Sequence, residues 1–482
     1  MFRALTQILT LALLALPSLA QARQTASSLD PRISAIVDRP PFQRAHWGMA
    51  ALDAATGDLL YARNADRLFV PASVLKLVVT ATAAHVLDRG FRYTTSFAAS
   101  GPVEQGVLVG DLVIHATGDP TISARYKPTM TTVFEAFADS LAVKGIRSVS
   151  GGIVVDESEW DAQYVHGDWE SYDLLWWYAA PVAPLGFNDN SIDFRVAPGS
   201  VGQPARITWQ PESSFFVLRN NTITTAAGNP KTLDFDRVPG TDTILATGRI
   251  PADAAVRTES FAVSEPARYA ATVFREVLER KGIAVARKTV EIRQRRGEGG
   301  RALFRHHSPP LDSIIAPIML RSQNWFAEQL LKTIGRQTAG VGSWEAGLAA
   351  ERNFLKNVVG LEDSEFSLRD ASGLSSGNLI TPAALARLLR YIYATPRQSI
   401  VRAALPVSGA QSGSLRTRLT DLGGRVQAKT GSVRNAASLA GFATAASGRA
   451  VVFVVIANGT GLPAARVNEA IDDVVRAIVA TH

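Results

Sequence analysis

Residues 69–90 read FVPASVLKLVVTATAAHVLDRG, placing Ser73 three positions before Lys76 at the head of an apolar run. Pro71 suits a first helical turn, and side chains at i and i+3 share a helix face, so Lys76 can reach the Ser73 hydroxyl. Free N–H groups in that turn, with the helix dipole, favour negative charge on the hydroxyl oxygen. The run continues LVVTATAAHVL, apolar nearly all round, so Lys76 falls in a segment that reads as buried. A buried ammonium is costly, loses its proton readily and can then act as a general base. Alone, Ser-x-x-Lys is a weak signal: it usually marks a capping serine and a solvated lysine.

The rest of the chain limits the chemistry. With 482 residues, 46% hydrophobic and 19% charged, it has the profile of a folded globular protein with room for several domains. The start, MFRALTQILTLALLALPSLAQARQ, has one early cation, Arg3, an apolar core from Ile8 to Leu16 and small residues at Ala20-Gln21-Ala22. Residues 1–22 are therefore expected to be a signal peptide, too short to span a bilayer, that delivers the chain to the periplasm or another extracytoplasmic space. The chain has no cysteine, which excludes thiol catalysis, disulfides and thiolate metal sites. The net charge of +7 is ordinary solubility charge at this length, and nucleic acid is not an expected partner. The densest basic run, RQRRGEGGRALFRHH (293–307), holds a single aromatic residue, gives bases little to stack on and reads as a linker.

Two further motifs change the weight of the first. AKTGSV carries Lys429-Thr430-Gly431, the only Lys-Thr-Gly in the chain, and RSQNWFAEQLL carries Ser322 and Asn324 in a helical context. Ser73 is also the only serine with a lysine three residues on. Ser-x-x-Lys, Ser-x-Asn and Lys-Thr-Gly in that order form the signature set of penicillin-recognising serine acyltransferases. With PASVLKL, GDPT, GGIVVDES and RDASGLSSGNLITP, the chain resembles the D-alanyl-D-alanine carboxypeptidase/endopeptidases among the low-molecular-mass penicillin-binding proteins. The interval from Ser73 to Ser322 is similar to the type with a long insert between the first two motifs; β-lactamases keep them closer. Gln323 and Trp325 are unusual fillings of the second motif, and Ala371 stands where glycine is expected.

The resemblance implies a role for each residue. Ser73 attacks the D-Ala carbonyl with Lys76 as base, and Ser322 passes a proton to the departing amine while Asn324 holds the substrate amide. Lys429 and Thr430 receive the terminal carboxylate beside Gly431, and the backbone N–H groups of Ser73 and Ser432 take the oxyanion. Substrates are peptidoglycan stem peptides, β-lactams become covalent inhibitors, and no cofactor or metal is expected. A β-lactamase-like or esterase hydrolase on the same scaffold, or a weakly catalytic cell-wall binding protein, are the alternatives. Homodimerisation and peripheral membrane association stay open.

The expected fold is α/β: a transpeptidase-like core, an antiparallel sheet with helices, formed by residues 23–92 and 301–482. A β-rich insert, 93–300, interrupts it as two nested subdomains, because short strand-like runs broken by Gly, Pro, Asn and Asp dominate there. Asp156, ending the apolar run GGIVVD, is either a solvated turn carboxylate or a residue at the cleft edge that reads a cationic side chain of the stem peptide. GLSSG (373–377) mimics a nucleophile elbow but lacks the preceding buried strand, and Ser376-x-Asn378 is set among turn residues, so neither displaces Ser73 or Ser322. The aromatic segment WESYDLLWWYAAP (169–181) reads as core or interface packing.

Overall fold

The computed structural model describes residues 29–295, 297 and 300–481. The leader expected over residues 1–22 lies outside the described residues. The central sheet has five antiparallel strands in the order Leu59–Arg63, His46–Asp53, Ala450–Asn458, Ala436–Thr444, Val426–Val433. The run AVVFVVIAN reads as continuously apolar because both faces of its strand are covered. Val451, Phe453, Val455 and Ala457 pack with the terminal helices Asp30–Val37 and Ala464–Thr481. Val452, Val454 and Ile456 face the opposite core, shared with the helices Lys76–Val86 and Pro382–Ala394. The chain's first and last segments thus complete one layered unit, as the split domain requires.

The insert has its own apolar core, running from Phe97 through Phe187 and Phe261 to Leu303. Its principal sheet is mixed, in the order Glu291–Arg293, Ile153–Asp156, Leu112–His115, Thr94–Ala99, Arg301–His307. Two three-stranded sheets within residues 191–262 are nested in sequence inside it and share the same core. The helices Thr132–Val143 and Pro266–Arg280 also belong to this unit.

One boundary and the linker reading differ from expectation. Arg301–His307 belongs to the insert, not the catalytic unit: it pairs antiparallel with Thr94–Ala99, from Arg301 opposite Ala99 to His307 opposite Thr94. The catalytic unit resumes at the helix Leu311–Leu320. The basic run is correspondingly not a plain linker, since its two ends are the strands Glu291–Arg293 and Arg301–His307. Both strands find partners far away in sequence, and no local pattern reports such pairing.

Candidate active site

The apolar run quoted first folds as a short 3-10 turn, Ala72–Leu75, leading into the helix Lys76–Val86. The turn is pinned from the central sheet: Asn458 accepts from the Val70 N–H at 2.8 Å and donates to the Val70 carbonyl, while Ser438 Oγ donates to the Pro71 carbonyl at 2.6 Å. Ala72 is held at φ 51°, a left-handed conformation that a non-glycine residue adopts only where its surroundings impose it. Gly373 explains part of that constraint. A Cβ there would lie 2.0 Å from the Ala72 carbonyl oxygen, so only glycine lets the 370–378 turn close against the Ser73 turn.

Ser322 departs from expectation. It lies in a break between two helices, Leu311–Leu320 and Asn324–Ala339, at φ 58°, and Asn324 is the first residue of the second helix. The helical context expected around the motif is interrupted at Ser322 and resumes at Asn324.

Lys76 is fully buried and its Nζ donates to Ser73 Oγ at 2.8 Å, Asn324 Oδ1 at 2.7 Å and the Ser372 carbonyl at 2.6 Å. Asn324 Nδ2 donates to the Tyr178 carbonyl at 2.8 Å, which fixes the amide so that its oxygen faces the lysine. Burial lowers the Lys76 ammonium to about 7, against the opposing pull of the Asp370 and Glu328 charges. Lys429, also fully buried, donates from Nζ to Ser322 Oγ at 2.8 Å and to the Thr430 carbonyl at 2.7 Å. Burial first, and the Lys76 charge second, push Lys429 well below the usual lysine range. The cation expected at Lys429 therefore competes with Lys76 for charge, and an anion arriving beside it favours the protonated form.

Thr430 Oγ1 donates to Ser414 Oγ at 2.8 Å. Gly431 lets the strand Val426–Val433 run close beside the nucleophile turn: a Cβ there would meet Ser438 Oγ at 2.2 Å and the Ser73 nitrogen at 3.1 Å. Ser73, Ser322, Asn324 and Thr430 are half-buried and Ser432 is exposed, so these groups keep access to solvent while the two lysines they adjoin do not.

Asp156 is not brought to this site. It does end a strand, Ile153–Asp156, but its carboxylate accepts from the Ser158 N–H at 3.0 Å and faces His115 Nδ1 at 3.5 Å. His115 in turn faces Glu159, which is hydrogen-bonded to Arg336 Nε at 2.5 Å. Arg336 is twelve residues beyond Asn324 on one helix, an axial separation of about 18 Å. The strand end was legible, but its direction depended on pairing with Leu112–His115, which the local sequence does not encode. Asp156→Asn is accordingly expected to change turnover of a stem peptide with a free side-chain amine and of its acetylated counterpart equally, measured as paired kcat/KM values.

Several residues around the site escaped the sequence reading. Ser372 supplies an acceptor to Lys76, and Asp370 holds the turn by accepting from the Gly373 and Ser375 N–H groups, each at 2.8 Å, and from Asn378 Nδ2. Ser375 is buried inside that scaffold, as its rejection as a nucleophile requires. The aromatic segment is packing only in part: Trp169 meets Trp344 and donates to Asp370, and Trp176 packs on Phe261, whereas Tyr172 and Trp177 are exposed. The one readable trace of the buried network was the spacing of Asn324, Glu328 and Lys332 at i, i+4 and i+8, which puts all three on one helix face.

Residues 29–479 match the model of the D-Ala-D-Ala carboxypeptidase 3 (S13) family. The chain belongs to this family. It is 34% identical over 470 residues to a D-alanyl-D-alanine carboxypeptidase of Actinomadura sp. (strain R39), covering 93% of this chain and 84% of the relative. It is 26% identical over 425 residues to the D-alanyl-D-alanine carboxypeptidase DacB of Haemophilus influenzae, covering 86% and 85%. The crystal structure of penicillin binding protein 4 (dacB) from Haemophilus influenzae superposes with a TM-score of 0.81 at 22% identity, over 93% of this chain and 98% of that one. The S13 fold, a peptidase core with inserted β-rich units, is therefore shared over nearly the whole described chain.

Proposed function

We propose that this S13 member is a serine DD-peptidase that cleaves the D-Ala-D-Ala or D-Ala-diamino-acid bond of peptidoglycan stem peptides through an acyl-enzyme. The surroundings of Lys76 Nζ carry the reading. A neutral amine has two hydrogens and one lone pair. Asn324 Oδ1 and the Ser372 carbonyl can only accept, so they take the two hydrogens, and the lone pair is left facing Ser73 Oγ. Burial supplies the neutral form near pH 7. Ser73 then loses its proton to Lys76 as Oγ bonds to the carbonyl carbon.

The C–N bond breaks when the departing nitrogen gains a proton, which Ser322 Oγ delivers and Lys429 replaces. Lys429 and Thr430 hold the terminal carboxylate, and the N–H groups of Ser73 and Ser432 receive the oxyanion. The proton that Lys76 took from Ser73 then replaces the one Lys429 gave up, so Lys76 is neutral again; water cleaves the ester by giving its proton to Lys76, which returns it to the departing Ser73 Oγ. A β-lactam enters by the same attack, but its ring nitrogen stays tethered and the ester persists, which makes penicillins covalent inhibitors.

Cell-wall substrates require an extracytoplasmic location, in keeping with the leader expected at residues 1–22. Among the described residues no helix is long and apolar enough to cross a membrane. Dimerisation and surface attachment to a membrane are decided by sedimentation and vesicle-binding measurements.

Purified muropeptides incubated with the protein are expected to lose terminal D-Ala, cross-linked dimers are expected to be cleaved, or both, as read by mass spectrometry. Unchanged muropeptides alongside fast penicillin hydrolysis would instead make it a β-lactamase-like enzyme. Neither reaction would leave a cell-wall binding protein. The acylation rate is also expected to rise with pH through about 7, because only unprotonated Lys76 accepts the Ser73 proton. A rate flat from pH 5 to pH 9 would remove the lysine base.

A further inference from the structure

Behind Lys76 lies a buried carboxylate that the reaction above does not use. Glu328 sits one helical turn after Asn324 in the helix Asn324–Ala339 and is completely shielded from solvent. Oε1 accepts from the Ser372 N–H at 2.8 Å and the Ala371 N–H at 3.2 Å, and Oε2 accepts from Trp344 Nε1 at 2.8 Å. The Ser372 residue therefore links the two groups: its N–H is held by Glu328, and its carbonyl oxygen accepts from Lys76. The helix does the same from the other side, with Asn324 touching Lys76 and Glu328 one turn behind it.

We propose that Glu328 is a positioning residue for acylation: it clamps the Ala371–Ser372 backbone so that the Lys76 lone pair faces Ser73, and its charge adds to that of Asp370 behind the lysine. The inference rests on the Lys76 general-base reading. It accounts for an otherwise costly feature, a carboxylate with no exposed surface and no cation in direct contact.

The ionised form fits the hydrogen bonding. The Ala371, Ser372 and Trp344 N–H groups all donate to its two oxygens, an arrangement that suits a carboxylate. Burial and the Asp370 charge push the Glu328 carboxyl up to about 7, while these donors pull it back down. The charged groups facing it are Lys76 from the nucleophile helix, Asp370 from the 370–378 turn, Glu351 from the helix Trp344–Phe354 and Lys332 from its own helix. Burial, with the Glu328 and Asp370 charges, pushes Glu351 well above the usual carboxylate range, and Lys332 is engaged by Asp161 and by the Trp344 ring. Lys429 opposes Lys76 from the other side of the cleft. Glu328 and Asp370 are thus the two anions that sustain a proton on Lys76, and only Glu328 also grips the Ser372 N–H.

The test compares pH profiles of penicillin acylation for the full chain, Glu328→Gln and Glu328→Asp. Removing the anion makes the Lys76 ammonium easier to deprotonate, so in Glu328→Gln the acid limb is expected to move to lower pH by about one unit. The plateau is expected to fall roughly tenfold, because the lysine is held less accurately. Glu328→Asp keeps the charge but withdraws it by one methylene, so its limb is expected to stay near the parent midpoint while its plateau falls. If Glu328→Gln fails to fold, Trp344→Phe replaces it: losing one donor raises the proton affinity of Glu328 and is expected to shift the limb the same way by a smaller amount. A folded Glu328→Gln whose midpoint matches the parent overturns the proposal, as does a Glu328→Gln plateau within about twofold of the parent; where Trp344→Phe replaces it, an unshifted midpoint does the same. A parent chain without an acid limb overturns the lysine-base reading itself, so the two failures are distinguishable.

Discussion

Ser73→Ala is expected to abolish both covalent penicillin labelling and release of D-Ala, lowering kcat by about ten-thousandfold or more. The loss is this large because every bond change passes through the Ser73 oxygen, and no other hydroxyl stands beside Lys76 Nζ among the described residues. The folding cost is small. The Ser73 side chain is half-buried, and the turn is held by Asn458 and Ser438 through backbone groups that the substitution leaves untouched. A variant with parent-like thermal unfolding and residual peptidase activity above one part in about a thousand would contradict this account.

Lys76→Met is expected to have the second-largest effect, lowering the acylation rate by about a thousandfold through loss of the general base. It also carries a signature in stability. In the folded protein Lys76 keeps its proton only below about pH 7, whereas an unfolded chain keeps it to about 10.4. Between those values the unfolded state binds the extra proton, so this group makes stability rise with pH from about 7 to about 10. Its desolvation penalty is fully present below pH 7. Lys76→Met removes that slope, so the stability of the variant relative to the parent is expected to be greatest at or below pH 7 and to decline as pH rises. Methionine also leaves Asn324 Oδ1 and the Ser372 carbonyl without a donor, a cost of about 1–3 kcal/mol each that partly offsets the gain. Denaturant midpoints of parent and variant at pH 6, 8 and 10 measure the slope. Equal slopes in the two proteins would mean that Lys76 is charged throughout.

Much of this site was legible because its chemistry is encoded locally. Ser73 and Lys76 are neighbours on one turn, Lys429 to Ser432 are consecutive on one strand, and Ser322 with Asn324 spans a single break between helices. The central sheet was legible for the same reason: its last three strands and the hairpin His46–Arg63 are contiguous runs with clear turns. What escaped depends on contacts between distant segments. The Ser372 carbonyl reaches Lys76 across almost three hundred residues, and Arg301–His307 pairs with Thr94–Ala99 across about two hundred. Asp156 shows the limit most clearly, since the apolar run located its strand end and said nothing about which way that end pointed.

The most direct measurement is the location of the acyl group. The protein is incubated with a labelled penicillin, quenched, digested and analysed by peptide mass spectrometry. A single label on Ser73, absent from Ser73→Ala, is the predicted result; a label on Ser322, Ser375 or Ser376, or none on a chain that cleaves stem peptides, would contradict the mechanism.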